Sequence, residues 1–151
     1  MRDPRIDKWA KLLVHYSIKV EKHHKVLIQA DLSALPLVEA CYEECTGSGA
    51  YVDCLLNHDR LNEFFLKNGS PEQLSVSPQL KKYAVEEFDR FLFIYAPNNL
   101  QALTSIPLER HVYSLKANQP IQKMIFDRTA KEEIVWCRTH YPAPAAAQMA
   151  C

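Results

Sequence analysis

The chain has 151 residues, 48% of them hydrophobic and 24% charged, the length and composition of one globular domain that buries a core without staples. Eighteen Lys and Arg are matched by 18 Asp and Glu interleaved along the sequence, which argues against a nucleic-acid-binding face. A charged start from Met1 to Asp7 and the lack of a long apolar run predict neither signal peptide nor membrane span, and an odd, irregular set of five cysteines predicts reduced thiols in the cytoplasm.

Ile6, Trp9, Leu13, Tyr16 and Val20 recur at helical steps with Lys8, Lys11, His15 and Lys19 on the other side, predicting an amphipathic helix with a basic outer face. Val26-Leu27-Ile28 reads as a buried strand that empties into a turn at Asp31. A second helix follows from about Ala34 to Thr46, with Pro36 in its first turn and Gly47-Ser48-Gly49 ending it. Tyr51 to Leu56 is a second strand, and Asn57-His58-Asp59 turns it into a short helix that closes at Asn68-Gly69. Ser70-Pro71 and Ser77-Pro78 offer two further helix starts, and Phe91 to Ala96 is a central strand bounded by Pro97-Asn98-Asn99. A long helical region runs from Pro107, with Pro120 expected to restart or kink it, because proline lacks the donor that a helix interior needs. Ile134 to His140 is the last strand, and an Ala/Pro-rich tail begins at Pro142. Strands separated by helices predict a single α/β domain: a mostly parallel sheet of about four strands with helices on both faces.

Chemistry is scarce in this pattern. Gly47-Ser48-Gly49 follows a helix, so it suits a helix-ending turn better than a phosphate loop or a nucleophile elbow. Cys41 and Cys45 share a helix face and could be metal ligands with His23 or His24, yet they fall on the apolar side, where a free thiol packs as a small hydrophobe. Cys54 and His58 straddle a strand end and could make a nucleophile, but no third orienting group accompanies them. The adjacent pairs Glu43-Glu44, Glu86-Glu87 and Glu132-Glu133 point about 100° apart on a helix and suit solvated faces. No metal or catalytic constellation is complete, and no catalytic residue or metal ligand is assigned.

Three stretches carry a resemblance. They are Leu12-Leu13-Val14-His15-Tyr16-Ser17-Ile18-Lys19-Val20 leading into Lys25-Val26-Leu27-Ile28; Asn99-Leu100-Gln101-Ala102-Leu103 leading to Leu108-Glu109-Arg110; and Trp136-Cys137-Arg138-Thr139-His140-Tyr141-Pro142 followed by Ala145, Ala147 and Gln148. In this order, with the strand Phe91 to Ala96 between them, they resemble the amino-terminal half of the thermophilic metalloaminopeptidases of the aminopeptidase T and aminopeptidase S type. His23-His24 stands where that family usually has Gly and an acidic residue, which predicts a strained or altered turn. Leu108 replaces a common proline, and Ala143 a frequent threonine.

The resemblance implies removal of amino-terminal residues from peptides, a homodimer, and cobalt or zinc held by Glu, His and Asp ligands in a carboxy-terminal domain that also supplies the base. Residues 1–151 match only the amino-terminal α/β domain, so this chain is expected to bind no cofactor itself and to be inactive alone, as a trimmed or truncated form. Ligands of an open α/β sheet lie beyond the carboxyl ends of its strands, which makes Asp31, His58, Pro97 and Pro142 the candidate cleft residues. The competing expectation is a non-catalytic α/β module that binds a partner chain through an exposed apolar surface.

Overall fold

The computed structural model describes residues 1–98 and 101–142; the readings at Asn99-Leu100 and in the tail from Ala143 lie outside the described residues. Four strands, β1 (Lys25–Asp31), β2 (Tyr51–Asn57), β3 (Arg90–Tyr95) and β4 (Val135–His140), form one all-parallel sheet in the order β2-β1-β3-β4. Helix α1 (Pro4–Lys11) precedes the sheet, and α2 (Leu35–Gly47), α3 (Asp59–Asn68), α4 (Pro71–Leu74), α5 (Gln79–Glu87) and α6 (Leu108–Ala130) fill the connections between strands.

Side chains alternate across the sheet, so each strand feeds two cores. Val26, Ile28 and Ala30 of β1, with Leu92 and Ile94 of β3, pack against Leu13, Val14 and Ile18 at the chain start and Leu37, Cys41 and Cys45 of α2. On the opposite face, Leu27 and Phe91 meet Ala84 and Val85 of α5 and Ile121 and Ile125 of α6. The two central strands are apolar on both sides but for Gln29 in the middle of β1, as a covered parallel sheet requires, whereas the edge strands β2 and β4 are only half-buried.

The first helix departs from the expected single register. After α1 the backbone widens into a π-helical turn at Leu12–Ser17, with the Ile18 N–H bonded to the Leu13 carbonyl five residues back. That shift rotates the buried stripe: Val14 and Ile18 are fully buried, while Tyr16, placed inward by the 3.6-residue period, is 75% exposed. His15 on the outer side reaches Glu44 of α2 at 2.8 Å.

The turn into β1 carries strain where the histidine pair departs from the usual glycine. His23 has φ of 71°, its N–H bonded to the Gly49 carbonyl at 3.0 Å, and Gly49 itself has φ of 80°. A β-carbon in the left-handed region is penalised by its contact with the following carbonyl. His23→Gly is therefore expected to raise stability by about 0.5–1 kcal/mol, the relief exceeding the extra chain entropy glycine loses on folding. Urea unfolding would check this; a loss of stability would mean that the ring contact of His23 with Tyr51, at 6.1 Å between centroids, outweighs the backbone term.

Helix α6 does not restart at Pro120; it runs unbroken from Leu108 to Ala130 with the proline inside. Pro120 is exposed, so the carbonyl left without its helical donor can bind water, while Ala117 and Ile121 on either side hold the buried face to the core.

Candidate functional site

Chain order makes the crevice. From β1 the chain moves to β2 on one side and later to β3 on the other, so the connections that leave the carboxyl ends of β1 and β3 diverge. Such a switch point is where open α/β sheets bind ligands.

Asp31 ends β1 here, and its Oδ2 accepts the Ala96 N–H at 2.7 Å, tying the end of one central strand to the chain leaving the other. His58 follows β2 as the N-cap of α3, with Nδ1 accepting the Arg60 N–H at 3.2 Å. Asp59 opens that helix, where a negative charge is favoured, and its Oδ2 accepts the Asn98 N–H at 2.7 Å. Asp31, Ser33, Asn57, His58, Asp59 and Asn98 line a cavity of 120 Å³. Burial, and next the charge of Asp59, push the Asp31 carboxyl above its ordinary value of 3.8, against the opposing pull of its bond from Ala96.

Of the four candidate residues, Asp31 and His58 share this cavity. Pro97 lies between the two backbone donors, Ala96 and Asn98, but does not line it. Pro142 follows β4, separated from β1 by β3, and is apart from the cavity. Asp59 and Asn98 were not singled out by the sequence; the available signal was an acid in the first turn of a helix that leaves a strand end.

The donor set does not suit a metal. Among the described residues no group of three or more His, Cys, Asp and Glu side chains could hold an ion. Both aspartates spend an oxygen on backbone N–H groups, and His58 spends Nδ1 likewise. Cys41 and Cys45 are fully buried in the core, with burial holding Cys45 at about 12 and Cys41 higher still. His24 accepts the Glu21 N–H, and His23 lies exposed on its turn, so neither completes a cysteine site. Cys54 packs towards the first core while His58 caps α3, and burial raises the Cys54 thiol rather than activating it.

Asp31 offers a pH test with a definite sign. A carboxyl raised in the folded state supports folding below its unfolded pKa, and that support fades as pH rises through the folded value. Asp31→Asn keeps an oxygen for the Ala96 N–H without the charge, so it is expected to be more stable than the parent at neutral pH, with the difference closing below the ordinary value of 3.8. Urea midpoints against pH would show this; a less stable variant at neutral pH would mean that the ionised carboxylate has a favourable partner.

Comparison with known proteins adds the following. The thermophilic metalloprotease (M29) family model matches residues 2–150. Among solved structures, wild-type AmpT from Thermus thermophilus superposes with a TM-score of 0.78 at 20% identity, covering 94% of this chain and 37% of that one. An alcohol dehydrogenase superfamily protein from Novosphingobium aromaticivorans gives a TM-score of 0.37 at 13% identity over 86% of this chain and 50% of that one. No curated protein matches the chain.

Proposed function

Because the chain belongs to the thermophilic metalloprotease (M29) family, we propose that it forms the amino-terminal α/β portion of a metal-dependent aminopeptidase and is inactive by itself. The observation that carries the reading is the pairing of a family match over 2–150 with a set of described side chains that cannot gather a metal. Hydrolysis in such enzymes relies on divalent ions, here cobalt or zinc, that act as Lewis acids and activate water. In this reading the ligands and the base come from outside these residues, and the α/β portion walls the cleft with the loops at Asp31, His58, Pro97 and Pro142. A homodimer and a cytoplasmic setting belong to the same proposal, as does a peptide substrate.

The test is direct. Incubated with cobalt or zinc and a leucine anilide, the chain is expected to give no turnover, while a leucine-terminated peptide shifts the amide NMR signals of residues 31–33, Ala96 and Asn98. Turnover that a chelator abolishes would sink the proposal.

A second reading, a non-catalytic interaction module, is favoured by helix α3. Leu61, Phe64 and Phe65, at one helical face, are 73%, 67% and 44% exposed. Light scattering separates the readings: association that Phe64→Glu abolishes, with no response to peptide, would favour the module.

A further inference from the structure

On the second face of the sheet, between the strands and helices α5 and α6, lies a cavity of 340 Å³ that the crevice at Asp31 does not reach. Its size falls in the range of small-molecule sites. Leu27, Phe91, Phe93 and Trp136 form the sheet side, and Ile121 and Ile125 of α6 the helix side.

Three features set this space apart from a packing gap. Among its described lining residues none is acidic, yet two are cationic, Lys81 of α5 and Arg138 of β4. Lys81 has neither ion pair nor hydrogen bond among the described residues, and burial pushes its ammonium below the ordinary lysine value. Arg138, exposed on edge strand β4, lies over the Tyr95 ring at 5.1 Å and has no carboxylate partner among the described residues. Gln29 is the third feature: a polar side chain in the middle of central strand β1, on the face otherwise given to Leu27, and it lines the same cavity. The two cations line the same space from opposite walls: Lys81 from the first turn of α5, Arg138 from the second half of β4.

A half-buried cation without a counter-charge is a cost that a bound anion removes. We propose that this cavity binds a small aromatic carboxylate, its ring against Phe93 and Trp136 and its carboxylate held by Lys81 and Arg138. The aromatic lining offers stacked and edge contacts, as Phe93 and Trp136 already do to each other at 6.4 Å.

Calorimetric titration of the whole chain with naphthoate, naphthylmethanol and naphthylmethylammonium tests this by charge at nearly constant shape. Naphthoate is expected to bind with one equivalent, and the ammonium compound about tenfold or more weakly. Lys81→Gln and Arg138→Gln should each weaken naphthoate about tenfold. Gln122→Glu, at an exposed position on the rim, should do the same and improve the ammonium compound, with unchanged circular dichroism excluding a folding defect. Equal affinity for all three compounds, no heat with naphthoate, or unchanged binding by folded Lys81 and Arg138 variants would each overturn the proposal.

Discussion

Arg128→Met is expected to lower the stability of the chain by about 2–3 kcal/mol, the scale of losing a charge-assisted bond and stranding the carbonyls it served. Four carbonyls at the end of a helix lack partners within it, and burial makes them expensive to leave open. Arg128 of α6 serves this need for α5, its Nη1 donating towards the carbonyls of Val85, Glu86 and Phe88 while Nε binds Glu133 at 3.0 Å. Arg110 does the same for α3 through the carbonyls of Leu66 and Gly69. The two arginines are 18 positions apart, five full turns at 3.6 residues each, so one face of α6 presents both guanidinium groups to the helices that precede it. Methionine keeps the apolar stem and removes only the donors, which isolates that contribution from packing. Lysine should rescue little, because a single ammonium cannot span the carbonyl set as the planar fork does. Arg110→Met is expected to cost about 2 kcal/mol, and the double variant should sum the two losses, since sites this far apart along a helix share no partner. Urea midpoints at constant slope read all three. A loss under half a kilocalorie for Arg128→Met would mean that water satisfies the α5 end and that α6 is held by apolar contact alone.

The sheet was readable in the sequence because its central strands are apolar on both faces, so runs such as Val26-Leu27-Ile28 and Phe91 to Ala96 stand out without periodicity. Helix α2 was readable from its ends, proline in the first turn and glycine at the stop. Tyr16 was not, because a π turn changes the repeat from within and leaves no compositional mark. Nor was the continuity of α6: local propensity condemns Pro120, and the arginines that pin the helix at both ends act through residues forty or more positions away in sequence. The crevice divides the same way. Asp31 and His58 come together because one ends and the other follows two adjacent parallel strands, which topology alone dictates. The Asp59 carboxylate at the start of α3 accepts the N–H of Asn98 in the loop after β3, and Pro142 leaves a strand on the far side of β3, facts that depend on strand order and not on the residues themselves.

The two faces of β3 should respond differently to truncation, because one is sealed in the first core and the other borders the second-face cavity. Leu92 points into the first core with no exposure, among Ile28, Ala34 and Leu37. Leu92→Ala is expected to cost about 3–5 kcal/mol, because the central strand cannot collapse into the space and no polar group there would welcome water. Phe93, its neighbour, points to the other face and borders the cavity near Gln29 and Arg138. Phe93 is the larger side chain, yet Phe93→Ala is expected to cost only about 1–2 kcal/mol, since its atoms are partly in contact with open space and the enlarged void can hydrate against polar neighbours. Size alone predicts the reverse order, as phenylalanine truncations in sealed cores exceed those of leucine. Urea unfolding of both variants, with a slope equal to that of the parent, decides between them. If Phe93→Ala proves as damaging as Leu92→Ala, the sheet is sealed on both sides and the carboxylate site loses its room; if the order holds, the space beside Phe93 is one that the fold tolerates at little loss and that a ligand can fill.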